Sequence, residues 1–549
     1  MPVPGTTLWD QLIAAGDTRS SLHCFTGTRY ESATWREVIS DAERMTAGLR
    51  RAGVEPGARV AAILTNGPSA VRGMLGVWLG GGSLASLPVR ARGMDEGEYA
   101  AQLEAICDQL EPEALLVEER ALPLVPEGVK GVVRTISWES VADSGRASLC
   151  PPGEDELAFV QYSSGSTGRP KGCMLTPRAI GAQLALAWEM IEGEAGREAA
   201  VSWLPLSHDM GMFGCLLTAW AHGCDLFLST PERFVLSPRT WFGDLADTGA
   251  TITAATNTAL HLGARAYAEE RLPGRLRVRA LIVGAERVQW ETLRLAVDTF
   301  GAAGLEERSL MPAYGLAEAT LAVTATALEE APASVILDAV ALADGELVEA
   351  QEGDPCGTRL VSAGRPCRDV RLQGGETRRL EEIQVSSPAL ASGYYREPEL
   401  TAERFRDGGL MTGDIGFLRG GELYPVGRLD DLISVGGRNV YTREVESAVE
   451  QLSGVRRGCT TIVEERSGGG SRLTLCLEPQ DSVTDYRALA LTAASVAMAK
   501  AAVPLDECVF LPRDSLPKTP SGKIQRHRAR RLLAETDLHP LARVSLAAT

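Results

Sequence analysis

Short apolar runs alternate along the chain with longer amphipathic stretches. Residues 60–64, 114–117 and 280–283 are almost wholly apolar, which is typical of parallel strands buried on both faces. Residues 35–51 instead place apolar side chains every three or four positions, the period of a helix. Strands that alternate with helices in this way predict α/β layers with parallel sheets.

A polar segment rich in serine and glycine lies between a predicted strand at 157–160 and a predicted helix at 179–188. It reads Gln-Tyr-Ser-Ser-Gly-Ser-Thr-Gly-Arg-Pro-Lys-Gly over residues 161–172. Backbone N–H groups in conformations open to glycine form an anion-binding concavity, and hydroxyls add donors. The segment does not match a Walker A loop, because Lys171 follows proline rather than glycine. Taken alone, it fits a polyphosphate loop or a plain flexible turn.

A second, shorter unit is predicted after about Gly427, because 549 residues exceed what one hydrophobic core supports. In this part of the chain, helical patterns at 443–452 and 486–500 flank strand patterns at 460–463 and 473–477.

Composition excludes several classes of function. The net charge of −17 argues against broad affinity for nucleic acid or for an anionic membrane, and the basic run at 523–531 reads as a solvated helix face. Eleven cysteines without a C-x-x-C pair and six histidines without an H-x-x-x-H pair favour reduced thiols in the cytoplasm over disulfides or zinc. No signal peptide is visible. The longest weakly polar run, 71–88, is glycine-rich and contains Arg72, so no membrane span is expected.

Three more motifs follow in order. They are Met-Pro-Ala-Tyr-Gly-Leu-Ala-Glu-Ala-Thr at 311–320, Thr-Gly-Asp at 412–414 with Gly-Arg-Leu-Asp at 427–430, and Pro-Lys-Thr-Pro-Ser-Gly-Lys at 517–523. Together with the serine-glycine segment they resemble the core motifs of the adenylate-forming superfamily, which contains acyl-CoA synthetases, luciferases and peptide-synthetase adenylation domains. The resemblance covers about residues 34 to 531.

The resemblance implies an α/β fold in two parts. A large N-terminal domain of layered α/β subdomains, residues 1–429, would bind ATP and the acid. A small, mobile α+β C-terminal domain, residues 430–549, would carry the catalytic lysine and turn about a hinge at Asp430.

The resemblance also implies ATP as cofactor. The residues that would bind it are Ser163, Ser164, Gly165, Ser166, Thr167, Gly168, Lys171, Gly284, Ala285, Glu286, Ala313, Tyr314, Gly315, Asp414 and Arg428. Among them, Ser166 and Thr167 would hold the β- and γ-phosphates, and Tyr314 would stack on adenine. Asp414 would accept hydrogen bonds from both ribose hydroxyls, with Arg428 reinforcing that side.

Catalysis is assigned by the same resemblance to Glu318, Lys523 and Thr167. Adenylation brings a carboxylate against the α-phosphate, so the site must supply cations and oriented donors. Glu318 would hold Mg2+, an ion that suits one carboxylate plus substrate phosphates. Lys523 would span the substrate carboxylate and the α-phosphate. Lys518, five residues earlier, reads as a solvated loop lysine.

Four local features resemble the fatty acyl-AMP ligases. These are Trp-Leu-Pro-Leu-Ser-His-Asp-Met-Gly at 203–211, Pro-Ala-Tyr-Gly-Leu-Ala-Glu-Ala-Thr-Leu at 312–321, Asn439, and the separation of 46 positions from Glu318 to Gly364. That spacing exceeds what CoA ligases usually have. It resembles an insertion that restrains the C-terminal domain and disfavours CoA thioester formation, although a passive surface loop would also fit.

The predicted substrate pocket consists of His208, Asp209, Met210, Met212, Thr256, Asn257 and Thr258. Thr-Asn-Thr-Ala at 256–259 replaces the Pro-Asn-Phe-Ala common in these ligases. Hydroxyls in an apolar channel need partners, so a shorter or more polar acid competes with a long alkyl chain. We expect His208 close to the substrate carbonyl and not as a general base, because the acid is already ionised near neutral pH.

The leading hypothesis is ATP-dependent activation of a fatty or other hydrophobic acid to acyl-AMP. The acyl group would then pass to the phosphopantetheine thiol of an acyl carrier protein. One alternative is an ATP-dependent diazotase that activates nitrite for an aromatic amine, and another is an ordinary acyl-CoA ligase. A non-catalytic binding module is least favoured, because Glu318, Asp414 and Lys523 are all present.

Overall fold

The computed structural model describes residues 7–90, 96–142, 145–163, 171–354, 356–374, 377–429, 432–435, 438–467, 470–501, 503–518, 524–534 and 539–546. Within these ranges the helices are α1 (Leu8–Ala14), α2 (Trp35–Arg51), α3 (Pro68–Leu79), α4 (Glu96–Leu110), α5 (Glu127–Val132), α6 (Pro177–Met190), α7 (Thr218–Ala221), α8 (Pro231–Leu236), α9 (Arg239–Thr248), α10 (Asn257–Arg265), α11 (Trp290–Phe300), α12 (Ala339–Ala343), α13 (Pro398–Arg404), α14 (Thr442–Val449), α15 (Tyr486–Ala501) and α16 (Arg526–Ala534). A π-helical segment, Met210–Leu217, precedes α7.

The strands up to residue 325 are β1 (Ser21–Phe25), β2 (Tyr30–Thr34), β3 (Arg59–Ile63), β4 (Ser83–Leu87), β5 (Ala114–Val117), β6 (Thr135–Ser137), β7 (Phe159–Ser163), β8 (Lys171–Leu175), β9 (Ala199–Ser202), β10 (Asp225–Leu228), β11 (Ile252–Thr256), β12 (Ala280–Gly284), β13 (Leu310–Gly315) and β14 (Ala322–Ala325). Those that follow are β15 (Ser334–Asp338), β16 (Gly357–Val361), β17 (Arg365–Pro366), β18 (Arg371–Gln373), β19 (Glu381–Ser386), β20 (Phe405–Arg406), β21 (Gly409–Arg419), β22 (Glu422–Arg428), β23 (Leu432–Val435), β24 (Arg438–Tyr441), β25 (Val455–Ser467), β26 (Gly470–Pro479), β27 (Glu507–Phe510) and β28 (Ala542–Ser545).

Two large sheets organise the chain up to residue 366. The six-stranded sheet has the order β6-β5-β3-β4-β7-β8 and is parallel except for β8, which returns antiparallel to β7. The nine-stranded sheet has the order β17-β14-β13-β12-β11-β9-β10-β1-β2, with a parallel centre from β13 to β1. The continuous apolar strands have buried residues on both faces, as the sequence predicts.

Threonines begin several of the helices that position the site. Thr34 and Glu37 form a capping box at the start of α2, Thr176 caps α6, and Thr256 caps α10. Each hydroxyl accepts a hydrogen bond from an N–H group that the first helical turn leaves unsatisfied. These caps fix where each helix leaves the end of a strand.

Beyond the two large sheets, β18 to β22 form a smaller antiparallel sheet that carries Asp414 and Arg428. The last part of the chain forms the four-stranded sheet β25-β26-β27-β28. α14 and α15 pack on it around a core that includes Val445, Leu475 and Ala493. The α/β fold class predicted from the sequence is therefore confirmed, whereas the boundary at residues 429 and 430 stays a prediction, because Asp430 lies outside the described residues.

The segment between Glu318 and Gly364 packs against the C-terminal part of the chain. Its strands β15 and β16 form an antiparallel hairpin, and α12 lies between them in sequence. Ala343 of α12 joins the same hydrophobic core as the residues of α15. The ammonium group of Lys500, in α15, donates a hydrogen bond of 2.6 Å to the carbonyl of Gly357. In the part of the chain that the model describes, no helix is long and apolar enough to cross a membrane.

Candidate active site

The carboxyl ends of β12 and β13 form one wall of the site. A Cβ on Gly284 would lie 3.0 Å from the carbonyl oxygen of Ala313, so the absence of a side chain lets the two strands end close together. The next residue, Ala285, has a φ of 64°, which is rare for a residue with a Cβ. The Glu286 carboxylate accepts a hydrogen bond from the backbone N–H of Thr258. The turn at 284–286 is thereby tied to the start of α10.

Tyr314 joins this wall to the smaller antiparallel sheet. Its hydroxyl donates a 2.7 Å hydrogen bond to Oδ2 of Asp414, and Nε of Arg428 lies 3.1 Å from Oδ1 of the same carboxylate. Asp414 and Arg428 are direct partners across β21 and β22. Burial, and then the negative charge of Asp414, raise the pKa of Tyr314 well above its ordinary value. The phenol therefore stays protonated and acts as a donor.

Glu318 projects from a tight turn between β13 and β14. A Cβ on Gly315 would lie 1.9 Å from the carbonyl oxygen of Leu321, so this turn requires glycine. Thr320 has a φ of 63°, and its hydroxyl donates a 2.7 Å hydrogen bond to the carbonyl of Ala389. Such strained conformations persist where the surroundings enforce them, and they concentrate at functional sites.

Tyr394 connects Glu318 to the strand that follows the serine-glycine segment. Its hydroxyl donates a 2.8 Å hydrogen bond to Oε1 of Glu318. The backbone around it pairs with β8, because the N–H of Tyr395 donates to the carbonyl of Gly172 and the N–H of Met174 donates to the carbonyl of Gly393. Sequence reasoning did not identify Tyr394, since 76 positions separate it from Glu318 and no motif marks the pair.

The loop that carries His208 is held by two side-chain amides, from Asn66 in the loop after β3 and from Gln161 in β7. Asn66 donates to the carbonyl of Leu204 and accepts from the N–H of Leu206, and Gln161 donates to the carbonyl of Ser207. These hydrogen bonds fix the backbone of the loop up to Ser207, the residue before His208.

His208 and Asp209 form a close pair, with Nδ1 of the imidazole 2.6 Å from Oδ1 of the carboxylate. Burial would raise the pKa of Asp209, but the neighbouring imidazole and the N–H of Met210 outweigh it and lower that pKa. Asp209 therefore stays ionised and orients the imidazole ring.

A mainly apolar cavity of about 170 Å³ opens between these elements. The predicted site residues that line it are His208, Asp209, Met210, Gly284, Ala285, Ala313, Tyr314 and Gly315. Met212 does not line this cavity. It is fully buried in the core that also contains Trp220 and Phe213, because it faces the opposite side of the π-helical segment.

The Thr-Asn-Thr segment has structural partners of its own. The hydroxyl of Thr256 accepts from the N–H of Ala259 and begins α10. Oδ1 of Asn257 accepts from the N–H of Gln289, and the N–H of Thr258 donates to Glu286. None of the three residues lines the described cavity, so the hydroxyls that made an alkyl pocket doubtful lie outside it.

Comparison with known proteins identifies the family. The family model described as AMP-binding enzyme matches residues 14–395. The chain belongs to the AMP-binding enzymes. A 4-hydroxyphenylalkanoate adenylyltransferase of Mycobacterium marinum is 28% identical, over 90% of this chain and 85% of that protein. A long-chain-fatty-acid–AMP ligase, FadD32, of Mycolicibacterium smegmatis is 29% identical, over 77% of this chain and 73% of that protein.

The fold agrees with that of a solved relative. A structure from a study of fatty acyl-adenylate ligases of E. coli and L. pneumophila superposes on this AMP-binding enzyme with a TM-score of 0.87, at 24% identity, over 97% of this chain and 99% of that chain. At this identity the likeness supports the fold alone.

Several predicted site residues of this AMP-binding enzyme lie outside the described residues. They are Ser164, Gly165, Ser166, Thr167, Gly168, Asp430 and Lys523. The strands on either side of the first group are described, and Ser163 pairs with Lys171 across β7 and β8. Lys518 is half-buried, and its ammonium lies 3.0 Å from Sγ of Cys459. It is therefore less solvated than the sequence suggests.

Proposed function

We propose that this enzyme uses ATP to convert an apolar carboxylic acid to acyl-AMP, with release of pyrophosphate. The observation that carries the proposal is the apolar cavity, which opens at Tyr314 and Gly284 beside the Asp414–Arg428 pair. An apolar recess next to a polar edge suits an acid with a hydrophobic tail. The two similar enzymes are named for adenylation of an aryl acid and of a long-chain acid, and both kinds of acid end in a carboxylate.

Residues around the cavity can share the binding of ATP. Asp414 would accept hydrogen bonds from the ribose hydroxyls, and the 284–286 turn with Tyr314 would enclose the adenine. Residues 164–170, between β7 and β8, would hold the phosphates. Lys523 would neutralise the charge that builds up when the two anions meet.

The carboxylate of Glu318 is a suitable ligand for Mg2+. No group of three or more His, Cys, Asp or Glu side chains among the described residues could hold a metal by itself. Mg2+ usually binds one or two carboxylates together with substrate phosphates and water, and the hard carboxylate oxygens of Glu318 offer that donor. When bound, the ion would offset negative charge on the phosphates.

The reaction is a displacement at phosphorus. A carboxylate oxygen of the acid forms a bond to the α-phosphorus, and the bond from that phosphorus to the bridging oxygen breaks, with both electrons leaving on pyrophosphate. No proton needs to move, because the acid is ionised at neutral pH. His208, oriented by Asp209, would instead contact the acid at the mouth of the cavity.

The acyl group would then pass to the phosphopantetheine thiol of a carrier protein. α12 packs into the core that contains α15, and Lys500 of α15 donates a hydrogen bond to the carbonyl of Gly357. These contacts tie the C-terminal part of the chain to the N-terminal part, which supports a carrier protein over CoA as the acceptor. Movement of the C-terminal part about Asp430 remains part of the proposal.

ATP–pyrophosphate exchange with a panel of fatty acids, aryl acids and nitrite tests the function. We expect exchange with apolar acids only. In Lys523→Ala, exchange should fall by orders of magnitude while ATP binding changes little, because the lost contact belongs mainly to the transition state. Exchange that responds to nitrite and to none of the acids would overturn the proposal, and near-normal exchange in Lys523→Ala would overturn the role of that lysine.

A further inference from the structure

The cavity has a definite depth along the strands. Thr256 is opposite Gly284 at the carboxyl ends of β11 and β12, and Ile252 is opposite Ala280 near their amino ends. Both Gly284 and Ile252 line the cavity. Four residues at about 3.3 Å each separate these two levels, so the cavity runs for about 13 Å beneath the sheet.

The side chains change from small to large along that depth. At the mouth the lining consists of Gly284, Ala285 and Gly315, and deeper it includes Ile191 and Ile252. Ile191 belongs to a buried cluster with Ala280, the first residue of β12, and Met311, the second residue of β13. The deep end is therefore closed by packed core residues.

Trp188 is the largest side chain at this closed end. It lines the cavity from α6 and packs against the buried cluster that contains Ile191. Its ring stacks on His222, with ring centroids 4.2 Å apart and planes inclined by 9°. A Cβ on Gly193 would lie 2.3 Å from the indole ring, so the ring rests directly on that backbone. The indole is held between two neighbours and cannot easily turn aside.

His222 keeps this end of the cavity uncharged. Its Nδ1 lies 2.9 Å from the carbonyl of Thr218, and Thr218 also lines the cavity. Burial lowers the pKa of His222 to about 4, so the ring is neutral at pH 7. A neutral, stacked pair of rings at this position suits the end of an apolar chain.

We infer that the cavity admits acids with a medium-length alkyl chain or a single aryl ring, and that Trp188 sets this limit. The inference rests on the proposed function. A cavity of about 150 Å³ holds one benzene molecule, and this one measures about 170 Å³. An extended chain advances about 1.2 Å per bond, so a depth of about 13 Å sets an upper limit of about ten bonds. The enzyme thus differs in specificity from its relative named for long-chain fatty acids.

Chain-length profiles test the limit. With straight-chain acids in ATP–pyrophosphate exchange, kcat/KM should rise about fourfold per methylene, the equivalent of about 0.8 kcal/mol. The rise should end near ten carbons. For longer acids kcat/KM should fall by about tenfold or more, because overpacking a closed site is unfavourable. Trp188→Ala should move the optimum to longer acids. Ala187→Leu, which adds bulk to the same wall, should move it to shorter ones.

Glu189→Ala is the matched control on the same helical turn. Glu189 pairs with Arg368 at the surface and does not line the cavity, so its optimum should equal that of the unmodified enzyme. An undiminished rise to sixteen carbons in the unmodified enzyme, or an unchanged optimum in both Trp188→Ala and Ala187→Leu, would refute the limit.

Direct binding separates this inference from the proposed function. The same acids should raise the unfolding temperature of the protein with the same dependence on length, because ligand binding stabilises the folded state. If no acid supports exchange and the binding cut-off is still present and moves in Trp188→Ala, the proposed reaction is wrong and the limit stands. If binding shows no cut-off, the limit is wrong whatever the exchange shows.

Discussion

At the scale of single residues, the site depends on side chains that orient other side chains. Tyr394 is the clearest case, since its hydroxyl binds one oxygen of Glu318 and leaves the carboxylate held in one direction. Partners of this kind around a metal-binding carboxylate typically change metal affinity or activity by about 10- to 100-fold when removed.

Tyr394→Phe should therefore weaken the interaction with the ion. We expect the Mg2+ concentration needed for half-maximal pyrophosphate exchange to rise by about tenfold, with KM for the acid little changed. Binding of Mn2+ with ATP, followed by electron paramagnetic resonance, should weaken in parallel. Tyr395→Phe is the control, because it removes a hydroxyl from the same segment and that residue has no contact with Glu318 among those described. A Glu318→Gln background should abolish the effect, and equal losses in both tyrosine variants would contradict it.

Two histidines with lowered pKa values predict how the free energy of unfolding depends on pH. Burial lowers the pKa of His222 and of His261 to about 4, and for His261 the nearby Arg457 and Arg265 add to the effect. In the unfolded chain both titrate near 6.5. Between these values the unfolded state binds more protons, so the free energy of unfolding should fall as pH falls from about 6.5 to about 4.

Replacement of His222 isolates its share of this dependence. His222→Phe preserves the stack on Trp188 and cannot titrate, so its unfolding temperature should fall less between pH 6.5 and pH 4 than that of the unmodified protein. A His222→Phe profile identical to that of the unmodified protein would contradict the argument.

At the scale of elements, the sequence predicts most of the helices and strands that have a clear period of apolar residues. The helix at 35–51 and the strands near 60–64, 114–117 and 280–283 appear within a residue of their expected bounds. By contrast, β27 and β28 were not predicted. β28 pairs with β27 and completes a sheet, so its conformation depends on a partner more than thirty residues away and not on its own pattern.

Candidate site residues also divide into those with a local signal in the sequence and those that depend on distant parts of the chain. Those within motifs, such as Tyr314 and Asp414, could be selected from the sequence, because a motif records local chemistry, and these two are joined by a hydrogen bond. Tyr394 and Trp188 contribute through contacts between distant parts of the chain, and neither has a local signal. Met212 falls within a motif, but the π-helical turn directs it into the core.

The segment between β14 and β17 carries a prediction of its own. If its packing on α15 biases the C-terminal part away from CoA-dependent chemistry, the bias is a population shift of a few kcal/mol. Shortening residues 324–359 should then allow acyl-CoA to form while acyl-AMP formation continues. Lys500→Met, which removes the hydrogen bond to Gly357, should do the same to a smaller extent. Lys130→Met, which removes a surface ion pair with Glu127, is the control, and absence of acyl-CoA from both altered enzymes would contradict the bias.

At the scale of the whole molecule, the apolar cavity and the polar edge beside it suit two substrates, an apolar acid and ATP. In the proposed reaction, the apolar recess beneath the nine-stranded sheet would receive the tail of the acid, and the Tyr314–Asp414–Arg428 group with Glu318 would face the nucleotide. α15 of the C-terminal part contacts α12, and in the proposed reaction Lys523 would complete the site. In this proposal, adenylation would need Lys523 and transfer would need room for a thiol, so movement of the C-terminal part would separate the two steps.

Mass spectrometry of the products is the most direct test of the central claim. The enzyme would be incubated with ATP, Mg2+ and a medium-chain acid such as octanoic acid, alone, with CoA, or with a carrier protein bearing phosphopantetheine. We predict acyl-AMP and pyrophosphate in equal amounts without an acceptor, acyl-carrier protein when the carrier is present, and little acyl-CoA. Abundant acyl-CoA from the unmodified enzyme would contradict the assigned acceptor. A diazo product from nitrite and an aromatic amine, with no acyl-AMP from any acid, would contradict the account as a whole.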